Sequence, residues 1–132
     1  MDNALPIGPT DPDAASAAAL DAYSGIVSAV AAAMVPSVAA VSVPGPAGSR
    51  RGGGSGSAVL FTDDGYLLTN AHVVGEATHG IAEFADGSDA QIDVVGADPL
   101  SDLAVVRARS GLTVRPVTLG SADALRVGQL VV

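Results

Sequence analysis

Apolar and polar positions in this chain follow two different rhythms, and the change between them divides it. Over residues 23–34, Tyr23, Ile26, Val27, Val30 and Met34 recur at helical spacing and form one apolar stripe. Asp11-Pro12-Asp13 reads as the start of that helix, with Asp as cap, Pro at the first helical position and acid near the positive end of the dipole. The spacing predicts a helix from Asp11 toward Val35, ended by Pro36. Its stripe is read as packing surface. Met1 to Pro9 is read as a disordered tip.

From Ser37 the period becomes strand-like. Ser37 to Val43 is a first strand, and Pro44 to Gly56 is a Gly-, Pro- and Ser-rich loop carrying Arg50 and Arg51. That loop lacks the lysine of a phosphate-binding loop and opens no helix, so it reads as a flexible surface connection. Ser57 to Phe61 and Tyr66 to Thr69 form a hairpin around Asp63-Asp64-Gly65. Gly80 to Ala85 and Asp89 to Val95 form a second hairpin around Asp86-Gly87. Asp102 to Ala108 is another strand, and Leu112 to Leu119 a further extended segment. Short strands, tight glycine turns and no alternating helices predict an antiparallel barrel or sandwich.

Composition narrows the function. The 132 residues carry a net charge of −8, with six basic residues against fourteen acidic ones. Such a chain repels phosphate backbones and anionic lipid, which argues against nucleic-acid partners. Aromatic residues make up 3% and hydrophobic residues 48%, so the expected core is Val, Leu, Ile and Ala. Cysteine is absent, which removes disulfides and thiolate metal sites. The first charges are acidic, unlike a secretory leader, so no signal peptide is read. Residues 22–49 carry no charge, but Gly25, Pro36, Pro44 and Pro46 interrupt them, and a surface helix is preferred to a membrane span. On these grounds the compartment is left unassigned.

The candidate chemistry lies in two apolar stretches. Leu67-Leu68-Thr69-Asn70-Ala71-His72-Val73-Val74 is answered by Ser101-Asp102-Leu103-Ala104-Val105-Val106. A histidine can take and return a proton near neutral pH, and a carboxylate behind it can hold one tautomer. His79, the other histidine, sits beside Glu76 and Thr78 in what reads as a polar, solvent-facing loop. A metal site built from His72, His79 and Glu76 lacks any recognised zinc spacing, so no metal and no cofactor is expected. Asp98-Pro99 reads as shaping the turn before Asp102. Ser55, Ser57, Ser101, Ser110 and Ser121 all lack the flanking pattern of a nucleophile.

The stretches GGGSGSAVLFTDDGYLLTNAHVV, ADPLSDLAVVRA and PVTLGSADALRVGQLVV together resemble trypsin-like serine endopeptidases of the bacterial HtrA (Deg) type. The resemblance implies a mainly β fold: the first six-stranded antiparallel β-barrel of a chymotrypsin-like double barrel, preceded by the helix. It implies His72 as general base and Asp102 as the carboxylate that orients it, in the order His, Asp, Ser. Val73 follows the histidine where many animal relatives carry a disulfide cysteine, which favours the cysteine-poor bacterial branch. The family's Gly-Asp-Ser-Gly-Gly nucleophile segment has no counterpart here.

The expected organisation is therefore residues 1–36 as tip and helix, 37–120 as the first barrel, and 121–132 as a turn and the first strand of a second barrel. The expected function is the His-and-Asp part of a serine endopeptidase, inactive alone, acting on polypeptide substrates in protein quality control. The alternative is a non-catalytic barrel that binds a partner protein. An unpaired barrel edge ending in Leu130-Val131-Val132 predicts self-association.

Overall fold

The computed structural model describes residues 12–45 and 53–132. The expected tip, the Asp11 cap and Arg50 and Arg51 lie outside the described residues. A compact unit runs from residue 34 to 129; residues 12–33 and 130–132 fall outside it and are taken separately.

Helix α1 spans Pro12–Met34. A three-residue 3₁₀ turn, Val35–Ser37, follows it and contains Pro36, whose ring and missing N–H stop the α-helical ladder. Along its apolar stripe, Tyr23 and Ile26 are half exposed and Val27 and Val30 less so. The segment 13–37 reaches a mean hydropathy of 1.6, so length and composition alone would let it cross a membrane.

In residues 34–129, six antiparallel strands close into a barrel in the order β1-β2-β3-β6-β5-β4. They are β1 Val38–Ser42, β2 Ser55–Leu60, β3 Tyr66–Thr69, β4 His79–Phe84, β5 Asp89–Asp98 and β6 Leu103–Ala108. Alternation selects the inside of each strand: Ala39 and Val41, Ala58 and Leu60, Leu67 and Thr69, Ala82 and Phe84, Ala90 and Ile92, Ala104 and Val106. Pairing alanines with larger aliphatics fills a narrow barrel without voids. The two buried polar residues are satisfied, Thr69 donating to the Ser57 carbonyl at 2.8 Å and Ser37 to the Arg115 carbonyl at 2.7 Å.

Both predicted hairpins form. Gly65 (φ +90°) and Gly87 (φ +83°) occupy the left-handed positions that the tight turns require. Asp86 accepts hydrogen bonds from the Ser88 backbone and hydroxyl at 2.9 and 2.6 Å. A bulge at Val94/Gly96 carries β5 on to Asp98, three residues past its expected end.

The sheet is closed, because β1 pairs with both β2 and β4. Leu112 to Leu119 joins no sheet. It lies against the barrel through Val117 N–H to the Leu60 carbonyl and packs Leu112 and Val114 on the core. Gln129 to Val132 carries no assigned strand among the described residues.

Candidate active site

Adjacent strands β3 and β6 carry the two candidate residues. Their register pairs Thr69 with Ala104, and the ladder continues one step further as Ala71 N–H donates to the Asp102 carbonyl at 3.2 Å. Past Thr69, Asn70 is still extended, and Ala71–Val74 then form the single turn α2, closed by Gly75 at φ +52°. Ala71, Val73 and Val74 are buried in the end of the barrel, which turns the intervening His72 outward.

The approach of β2 to this turn explains the glycines before it. A Cβ on Gly54 would stand 2.0 Å from the Val73 carbonyl oxygen, and one on Gly56 2.5 Å from the Val73 side chain. The Gly-rich stretch was expected to be a flexible connection. Its described C-terminal part is instead a close-packed bed for α2.

On the β6 side, the turn before Asp102 is tied as expected. Asp98 accepts the Leu100 N–H at 3.0 Å and the Ser101 hydroxyl at 2.8 Å. Asp102 itself lies one residue before β6, at φ +55°. It is the one non-glycine with positive φ among the described residues, and aspartate is among the side chains that tolerate that region best.

The Asp102 carboxylate reaches His72 twice. His72 N–H donates to Oδ1 at 3.0 Å, and His72 Nδ1 lies 2.9 Å from Oδ1 and 2.8 Å from Oδ2. A carboxylate only accepts, so Nδ1 carries the proton and Nε2 of the neutral ring is left with its lone pair. The side chains are 71% and 45% exposed, so the pair is open to solvent on its outer side. The His72 backbone N–H and then its ring hold the Asp102 carboxyl below the usual carboxylate range, with the Asn70 amide adding to this. These bonds favour the ionised form of Asp102. The arrangement can accept a proton at Nε2 and stabilise the charge that results.

The other candidates stay apart from this pair. His79 begins β4 instead of lying in a loop, is exposed, and its Nδ1 lies 3.3 Å from the Thr78 hydroxyl. It shares a cleft of about 940 Å³ with His72 and Glu76, yet no three metal-binding side chains converge among the described residues. Ser101 is committed to Asp98, and the Ser57 carbonyl to Thr69. Asn70 was not singled out from the sequence. Its amide donates to the Asp102 carbonyl at 3.1 Å and to Oδ2 at 3.2 Å.

Comparison with known proteins identifies the family. The trypsin-like peptidase domain family matches residues 54–132. The serine protease PepD of Mycobacterium tuberculosis is 41% identical over 143 residues, covering 96% of this chain and 30% of PepD. A probable periplasmic serine endoprotease, DegP-like, of Ectopseudomonas mendocina is 40% identical over 87 residues, covering 65% of this chain and 18% of the relative. Among solved structures, the HtrA-type protease AlgW with tripeptide superposes with a TM-score of 0.63 at 33% identity, covering 73% of this chain and 30% of AlgW. The serine endoprotease from Yersinia pestis gives 0.54 at 32% identity, covering 66% of this chain and 30% of that one. The chain thus spans under a third of the length of these relatives.

Proposed function

Because this chain belongs to the trypsin-like peptidase domain family, with HtrA and DegP-type serine proteases as relatives, we propose that it supplies the base and the orienting carboxylate of a serine endopeptidase. One observation carries the reading: the Asp102 carboxylate meets both the backbone N–H and the Nδ1 of His72 at 2.8 to 3.0 Å. In this reading His72 Nε2 takes the proton of a serine hydroxyl as that oxygen attacks a peptide carbonyl. The same nitrogen then returns the proton to the leaving amine, and Asp102 stays ionised throughout.

None of the 132 residues forms a Gly-Asp-Ser-Gly-Gly segment. The reading therefore has the nucleophile and its oxyanion-stabilising N–H groups supplied by another segment, and these residues inactive alone. Polypeptides are the substrate class, and protein quality control the setting. The proposed domain organisation remains residues 1–36, 37–120 and 121–132.

Two measurements test this. A fluorophosphonate probe should leave this chain unlabelled, and His72-dependent labelling would identify a serine nucleophile within it. A chimaera placing residues 53–117 in the matching stretch of PepD should cleave casein. In that chimaera Asp102→Asn should lower kcat by about 10⁴-fold, the usual cost of the wrong histidine tautomer. Undiminished cleavage by His72→Ala in the chimaera would overturn the assignment.

A further inference from the structure

Asn70 occupies the N-cap position of α2 but does not cap it. An asparagine there ordinarily turns its side-chain oxygen to a free N–H of the first turn. Here no side-chain cap bond forms, and the Val73 and Val74 N–H groups are taken by the Asn70 backbone carbonyl at 3.1 and 3.4 Å. The side chain crosses to the neighbouring strand instead, where both of its contacts are oxygens of Asp102. Two oxygen partners fix which way the amide faces, because only its nitrogen can donate.

The residue it grips needs holding. Asp102 is half exposed, sits at positive φ, and precedes the first residue of β6. The His72 backbone N–H holds its Oδ1, and Oδ2 meets His72 Nδ1 and the Asn70 amide. The Asn70 amide ties the carbonyl of Asp102 and its Oδ2 to one donor, so backbone and side chain are fixed together.

We propose that Asn70 is a positioning residue. By clamping the carbonyl and carboxylate oxygens of Asp102, it sets the face that Asp102 presents to His72 and keeps the proton on Nδ1. The inference rests on the triad reading above and adds to it a residue that touches neither the substrate nor the reacting atoms.

Substitution separates the clamp from the rest of the residue. Serine lacks the amide donor, and aspartate offers a second carboxylate in its place. Asn70 is exposed and makes no side-chain cap bond, so Asn70→Ser and Asn70→Asp should melt within about 4 °C of the wild type. The informative readout is nitrogen-15 NMR of the histidine rings in the full chain, with His79 as internal reference. In the wild type, His72 should show a slowly exchanging Nδ1 proton and a neutral ring protonated at Nδ1. In both variants that proton should exchange roughly threefold to tenfold faster, the effect of losing one hydrogen bond to a charged, half-exposed acceptor. The Nδ1–H share of the neutral ring should fall, while His79 does not change.

Unchanged His72 exchange and tautomer in the two folded variants would overturn the proposal and leave the triad reading standing. A wild-type His72 protonated mainly at Nε2 would remove both. Loss of the His72 signal together with a melt lowered well beyond about 4 °C in both variants would mean that Asn70 holds the fold and not the carboxylate, which also overturns the proposal.

Discussion

Replacing Gly54 by alanine probes how the candidate base is held in place. The new Cβ would stand 2.0 Å from the Val73 carbonyl oxygen, where ordinary contact begins at 3.4 Å. The neighbour is backbone and has no rotamer by which to yield. Either β2 or α2 must move by more than an ångström. On the β2 side, Gly54 is fixed by its carbonyl, which accepts the Val43 N–H at 2.9 Å. The displaced element should therefore be α2, and His72 moves with it. Overpacking of this kind costs about 1 to 3 kcal/mol. For a domain of this size each kcal/mol lowers the melting temperature by roughly 4 to 8 °C.

The assay is a circular-dichroism melt paired with histidine NMR, using Gly111→Ala as the control because nothing lies within 4 Å of a Cβ there. Gly54→Ala should melt lower than the control and lose the His72 Nδ1–Asp102 pairing. In a catalytically complete chimaera, an ångström of misplacement should cost about 10²-fold in rate. Equal melts for the two variants, with His72 pairing intact in both, would refute the close-packed bed.

Further outcomes follow from the core and from the charge pair. Ile92 is fully buried, so Ile92→Ala should lose about 2 to 5 kcal/mol in urea unfolding, whereas the half-exposed Ile81→Ala should lose under about 1 kcal/mol. Equal losses would contradict the assigned inside and outside of the barrel. Asp102 binds its proton more weakly folded than unfolded, so its contribution is full above the ordinary carboxylate value of 3.8 and fades as pH falls through the lower folded value. The melting difference between the wild type and Asp102→Asn should accordingly be largest near neutrality and close in acid. A difference that widened in acid would reverse the assigned direction.

Much of the barrel was legible because its signals are local. Asp63-Asp64-Gly65 and Asp86-Gly87 announce turns by their own chemistry, and alternation through Ala104-Val105-Val106 marks an inside and an outside. The pairing of His72 with Asp102 could be read because residue type and setting agreed at both positions. What escaped depends on distant partners. The glycines at 54 and 56 look like slack until the Val73 backbone is set against them. Asn70 carries no local signal, because its partner Asp102 is brought beside it only by the pairing of β3 with β6.

The burial of Val73 and Val74 on either side of His72 has a consequence for how the site can fail. Many functional loops open by local fluctuations well below the cost of global unfolding. The α2 turn has no such independence, because releasing it withdraws two core side chains from the barrel end. Opening the turn therefore carries the cost of uncovering that end of the core, so His72 should exchange with solvent-released states more rarely than a residue on an unpacked loop.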